Sequence, residues 1–464
     1  MVRGVSTISS RMWSFISSVM LGFYETSGNS VNHFRAIWPE NTALMFLSVI
    51  RFQLSKATPL QFIILIFFHQ CPKHSRTRSE KGILIALNWG KPELIGTRRE
   101  TFGWLIFLCC LWAHPISALT DVELISILDQ VREEMDMPGV RAAVRFSDGR
   151  IVRGSVGLAD QENDLPLDND IGMPGGSTGK MFVATLVMLL VEDGIIGLDE
   201  PASKWLGHHA WFNKLPNADA ILVRHLLSHS SGLGDYPGTF VFNRKMLWRA
   251  IRQGSAYFPP EELIGFVAGK TGRFLPGEGY SYTDSGYLVL GRLIEAATGE
   301  SYYDLLQERI LRAEQLNGVR PQNVAVLPDI AIGYMGGGRA VKKDGRMKYD
   351  PRSEWTGGGL VTNPTMLVEF VGALAEGKIV SSDSLALMIN GGWHDPREKS
   401  WHYGFGMFVD ADRKALLHGG RWSGYRSRVT HYIQSGITIA IQTNRDGGVD
   451  LAAVIRRIAS TIRE

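Results

Sequence analysis

Ser177-Thr178-Gly179-Lys180 leads into an apolar run, residues 181–191, that stops at Asp193-Gly194. The pattern predicts a helix with Ser177 at its N-terminus. There the backbone N–H groups and the positive dipole end favour a developing anion. Lys180 lies one turn on, so its amine shares a face with the serine hydroxyl. A serine hydroxyl is a weak nucleophile and needs a base. A lysine fills that role only where burial or nearby charge lowers its pKa. Alone, the spacing fits an N-cap serine and a solvated lysine equally well. The stretch Gly175-Gly176-Ser177-Thr178-Gly179 also matches the G-x-S-x-G elbow of α/β-hydrolases. That elbow requires a buried strand just before the serine, and residues 168–174 cannot form one.

Two more stretches carry chemistry. Tyr280-Ser281-Tyr282-Thr283-Asp284-Ser285-Gly286 precedes an apolar helical run, 287–297. Tyr282 sits in the loop and can present its phenol; a phenolate beside a lysine ammonium is a workable base. His418-Gly419-Gly420 ends an apolar strand before the turn Arg421-Trp422-Ser423-Gly424. Glycines on a strand edge let a ligand backbone come close. Singly, these read as a packed loop tyrosine and a strand-end turn.

In this order, the three stretches resemble the serine β-lactamase-like, penicillin-recognising family. That family holds class C β-lactamases, D-alanyl-D-alanine carboxypeptidases, D-aminopeptidases and related esterases. The resemblance covers about 121–460. It extends to Pro138-Gly139-Val140, to Val191-Glu192-Asp193-Gly194 and to Leu226-Leu227-Ser228-His229-Ser230-Ser231-Gly232-Leu233. Gly357-Gly358-Gly359-Leu360-Val361-Thr362 and Tyr403-Gly404-Phe405-Gly406 match too.

The resemblance implies that Ser177 is acylated, that Lys180 shares its proton and that Tyr282 moves protons to and from the leaving group. Asp284, His418, Gly420 and Arg421 are expected to bind substrate. The N–H groups of Ser177 and Arg421 are expected to form an oxyanion hole. His229 is expected to be structural. Two departures stand out. The second motif ends in Asp284 where the family usually has Asn, and a carboxylate there should hold the lysine as ammonium. The third begins with His418 where β-lactamases of the family usually have Lys. Together they shift the expectation toward an exported serine hydrolase acting on D-amino-acid-terminated peptides, as a carboxypeptidase does, or on small esters. The alternatives are a β-lactamase and a non-catalytic penicillin- or peptide-binding module. No cofactor is expected, and no metal: H-E-x-x-H is absent and His208-His209 is too close-set a pair.

The elements around these motifs predict an α+β fold, which the resemblance implies is of the β-lactamase/transpeptidase type. Residues 120–135 read as a helix capped by Thr120, with Leu124, Ile125, Leu128 and Val131 on one face. Residues 140–146 and 151–156 flank a turn and read as a hairpin. Strands are expected at 415–418, 425–433 and 437–443, and a last helix at 449–462. Strands at both ends with helices between predict one antiparallel sheet flanked by helices, plus a mainly helical lobe.

The chain has 464 residues, 45% hydrophobic and 20% charged, with net charge +3. Twelve Lys/Arg against five Asp/Glu in residues 1–100 leave the remainder mildly acidic. An acidic body without basic runs argues against nucleic acid; the family resemblance implies a small molecule or peptide as partner, with cell-wall peptide as a contact. Cys71, Cys109 and Cys110 all precede it. Arg98-Arg99, the apolar run 104–112 and Ser117-Ala118 describe a signal peptide over 97–118. That makes 119–464 the hydrolase domain, exported to the periplasm or secreted. Residues 1–96 are then a non-native or unstructured extension, or a membrane tether if retained.

Overall fold

The computed structural model describes the segments 31–37, 44–52, 61–69 and 82–87 and residues 119–463. The chain divides into two units, Met1–His114 and Pro115–Glu464. In the first, Val31–Ile37, Leu44–Phe52, Gln61–His69 and Gly82–Leu87 pair in chain order as an antiparallel sheet. These four strands lie within the stretch expected to be non-native or unstructured. The signal peptide expected at 97–118 lies outside the described residues.

The second unit begins with α1 (Asp121–Glu134). Thr120 and Glu123 form a reciprocal capping box at its start, which satisfies two otherwise orphaned donors. Leu124, Leu128 and Val131 are buried, but Ile125 is 40% exposed, so the apolar face is narrower than its spacing suggests. Strands β1 (Gly139–Arg145) and β2 (Ile151–Asp160) form the expected hairpin, with short β3 (Leu165–Pro166) beyond it. Near the end come β4 (Trp401–Tyr403), β5 (Phe408–Asp410), β6 (Ala415–Trp422), β7 (Tyr425–Tyr432) and β8 (Ile437–Thr443). The eight strands are antiparallel in the order β4-β5-β6-β7-β8-β1-β2-β3. The last strand therefore pairs with the first: Ala440 faces Ala143 and Ile439 faces Val144.

Alternation along these strands buries both faces of the sheet. Val140, Ala142, Val144, Ile439 and Ile441 pack under α1 and the final helix α6 (Leu451–Arg463). Ala143, Val429 and Ala440 face the other way, toward α2 (Lys180–Glu192) and α5 (Pro364–Ala375). Phe182 of α2 stacks on Phe370 of α5 at 3.6 Å between ring centres. The helical lobe on this side includes α3 (Phe240–Gln253) and α4 (Asp284–Thr298). β6 runs four residues further than its apolar run suggested, which moves Arg421 from the turn into the strand and leaves the turn at Ser423-Gly424.

Candidate active site

Ser177 lies in a single 3-10 turn, Gly176–Gly179, that runs directly into α2. The turn is wedged against β6. Gly176 has φ +57°, and a Cβ there would stand 2.5 Å from the Arg421 nitrogen. A Cβ on Gly420 would stand 1.8 Å from the carbonyl oxygen of Gly175. Glycine at both positions lets two backbones meet and sets Ser177 beside the Arg421 peptide. Pairing of β5 with β6 ends at Leu417, so β6 has an open edge from His418 onward. Of the two glycines expected to admit a ligand, Gly420 thus also admits the turn that carries Ser177.

Lys180 is fully buried. Its Nζ donates to Ser177 Oγ (3.2 Å), Asp284 Oδ1 (2.5 Å) and the Gly357 carbonyl (2.5 Å). Three acceptors match the three donors of an ammonium. Burial alone would push its pKa down, but the Asp284 carboxylate and the Tyr282 phenol outweigh it and hold the proton on. Asp284, expected to bind substrate and to hold the lysine as ammonium, lies directly against Lys180. Sequence reasoning missed two acids around this pair. Asp235 Oδ1 accepts from the amides of Asp284 (2.8 Å) and Ser285 (3.3 Å) at the start of α4. Burial, reinforced by Asp284, raises its carboxyl to about 6. Glu354 is buried, and its Oε2 has no hydrogen-bond partner among the described residues. Burial lifts it to about 8, against the pull of Lys180. It precedes Trp355, a bulky residue at φ +41°, in the turn that aims the Gly357 carbonyl at Lys180. Backbone strain of this kind is characteristic of functional sites.

Tyr282 packs parallel to Phe408, and its ring centre is 5.0 Å from Lys180 Nζ. Its hydroxyl is buried beside Ser177 and Lys180 without a hydrogen bond of ordinary geometry. Burial raises the phenol to about 12; Lys180 opposes the rise and Asp284 adds to it. His229 clamps this loop from both sides. Its carbonyl accepts from Ser281 N (2.9 Å) and its Nδ1 from Thr283 N (3.2 Å). Burial and the nearby Lys180 hold its imidazole neutral.

His418 lines the cleft but has no free nitrogen. Nδ1–H donates to Gly419 O (2.7 Å), and Tyr403 OH donates to Nε2 (3.0 Å). Burial first, then Lys180, lowers it to about 3. Burial and Lys180 thus favour the neutral imidazole, with both ring nitrogens engaged inside the protein.

The cleft measures about 550 Å³ and reaches from Ser177 and Tyr282 along Gly419 and Gly420 to the start of α6. Arg421 Nε bonds Asp446 Oδ1 (2.5 Å) and Arg426 Nε bonds the Asp446 carbonyl (2.7 Å), so both are tied back. Arg428 was not anticipated. It lines the same cleft, lies over Gly419, and has no carboxylate within 4 Å among the described residues. The register Gly419↔Arg428 puts it on the Arg421 face of the hairpin, a placement readable from the two-residue period.

A family model described as "Beta-lactamase" matches residues 125–462. Penicillin-binding protein 4* of Bacillus subtilis (strain 168) is 31% identical over 185 residues, 39% of this chain and 38% of that protein. Esterase EstB of Burkholderia gladioli is 29% identical over 188 residues, 38% of this chain and 45% of that one. These matches span less than half the length of either relative. The D-amino acid amidase of Ochrobactrum anthropi SV3, solved with D-phenylalanine, superposes with a TM-score of 0.62 at 25% identity. It covers 73% of this chain and 98% of its own.

Proposed function

The chain belongs to the β-lactamase family, and from that premise we propose that it is a serine hydrolase that forms an acyl-enzyme on D-amino-acid-terminated peptides or small esters. The observation that carries this is Ser177, Lys180 and Tyr282 gathered at one end of a cleft beside an open strand edge. Ser177 Oγ attacks the substrate carbonyl carbon. The carbonyl oxygen becomes an oxyanion facing the N–H groups of Ser177 and Arg421. The reactive form of the Lys180–Tyr282 pair is the one that has already given up one proton to solvent, a Tyr282 phenolate beside the Lys180 ammonium; it takes the serine proton and returns it to the leaving amine or alcohol as the C–N or C–O bond breaks. Water then repeats the cycle on the acyl-enzyme. With all three lysine donors engaged, the base is the coupled pair, with Asp284 setting its proton affinity.

Within that reading a neutral ester is favoured over a β-lactam, because His418 is neutral and supplies no fixed charge for a carboxylate. The same reading proposes export, with a mature N-terminus near Leu119; N-terminal sequencing that finds Met1 intact would end that part. The enzymatic reading is tested by intact-protein mass spectrometry with benzylpenicillin, a D-alanyl-D-alanine peptide and a chromogenic ester. An acyl adduct and ester turnover are expected in the native protein, and Ser177→Ala should lose both, the rate by several orders of magnitude. Turnover that survives Ser177→Ala overturns the mechanism. Rapid penicillin turnover that outpaces both other substrates makes the protein a β-lactamase.

A further inference from the structure

Helix α3 has a face that the domain leaves uncovered. Its inward stripe is Phe242, Met246 and Ala250, packed on the helical lobe. At 100° per residue, the opposite arc holds Phe240, Leu247, Trp248 and Ile251. These side chains are 76%, 49%, 54% and 74% exposed. Single exposed apolar residues are ordinary, but four large ones on one arc of a 14-residue helix form a patch.

The charge on the helix itself has one sign. α3 contains Arg244, Lys245, Arg249 and Arg252 and no Asp or Glu. Lys245 and Arg249 turn away to Glu262, at 3.3 and 2.9 Å. Arg244 and Arg252 stay on the outer arc, 5.8 Å from the Phe240 ring centre and 4.8 Å from that of Trp248. Neither has a carboxylate within 4 Å among the described residues. Lys342 adds a cation at the C-terminal end, where its Nζ bonds the Gly254 carbonyl at 2.5 Å.

We propose that this face of α3 docks on an anionic lipid surface, with its apolar side chains in the headgroup–acyl boundary and its arginines on lipid phosphates. Apolar and aromatic side chains interleaved with unpaired arginines suit that interface. A second copy of the chain suits it less. A twofold pairing of the face would set the arginines of one copy against those of the other, with no acid on the helix to meet them. No helix among the described residues is long and apolar enough to cross a membrane, so α3 lies along the surface.

The test is sedimentation of the full chain with phosphatidylcholine vesicles, with and without phosphatidylglycerol. Two double variants, Trp248→Ser with Ile251→Ser and Arg244→Gln with Arg252→Gln, are compared with the native protein. The native chain should bind the anionic vesicles, less so at high salt. Each double variant should lower partitioning by about tenfold or more. Melting curves and ester turnover should match the native protein, since none of the four positions touches the cleft. Equal binding by native and variant chains, binding by none, or a dimer that the Trp248/Ile251 variant dissociates would each overturn the proposal.

Discussion

Asp284→Asn removes a charge while keeping a shape. The asparagine oxygen can still accept from Lys180 Nζ, which lies 2.5 Å from Asp284 Oδ1. Two unit charges at that separation, across an effective dielectric of about 20, attract by about 7 kcal/mol. That is an upper bound, because desolvation of both groups opposes it and the Asp284 side chain is 26% exposed. A carboxylate in contact usually moves its neighbour by about 1–3 pKa units. The middle of that range, about 2 units, is about 2.7 kcal/mol. The negative charge raises the proton affinity of Lys180 and also that of Tyr282. Whichever of them takes the serine proton, neutralising Asp284 lowers the pKa of the pair. The acid limb of the kcat/KM profile should therefore move about 2 pH units lower. Well below the native limb, the variant should be about 100-fold faster. The assay is kcat/KM for a neutral ester across the acid limb, so that substrate ionisation plays no part. A limb that stays in place, or moves to higher pH, refutes the coupling of Asp284 to the base.

Binding of an anionic D-alanyl peptide should be flat from pH ~5.5 to ~8.5, because His418 is already neutral there; a KM that climbs through pH ~6.5 would show a titrating imidazole. Arg428→Gln should raise KM for that peptide about tenfold, the scale of one charge-assisted hydrogen bond, and leave a neutral ester unaffected; equal losses on both would make it structural. Glu354 is raised to about 8 from 4.5, so its protonation stabilises the fold at low pH and that stability is lost as pH rises between those values. The native melting temperature should accordingly fall more from pH ~5 to ~8 than that of Glu354→Gln, and parallel curves would place Glu354 in contact with water.

What the sequence revealed is what local rules encode. The Thr120 cap and the hairpin read at 140–146 and 151–156 follow from neighbours a few residues apart, and each matches an observed element, the second strand running on to Asp160. The juxtaposition of Ser177, Lys180 and Tyr282 came from the family resemblance, since Tyr282 lies over a hundred residues from Lys180. The environment of the site was not legible. Asp235 reaches α4 from 49 residues away. Glu354 is a buried acid, against every compositional expectation for glutamate. The loss of charge on His418 comes from burial first and then from Lys180, far off in the sequence. His229 looked structural, and its two bonds around Tyr282 show what it structures.

The pairing of β8 with β1 has a kinetic consequence. The Thr443 hydroxyl bonds the Gly139 carbonyl, a contact between residues 304 apart in the chain. The sheet therefore closes only after nearly all of the domain has left the ribosome, and β6, against which the nucleophile turn rests, arrives only shortly before. Long loops must close before these contacts repay their entropy, which makes such topologies slow to fold. Until β8 docks, β1 presents an unpaired apolar edge. A chain stopped before residue 437 would keep Ser177, Lys180 and Tyr282 in its sequence, yet it would lack the strand that joins β7 to β1 and would expose both edges to aggregation.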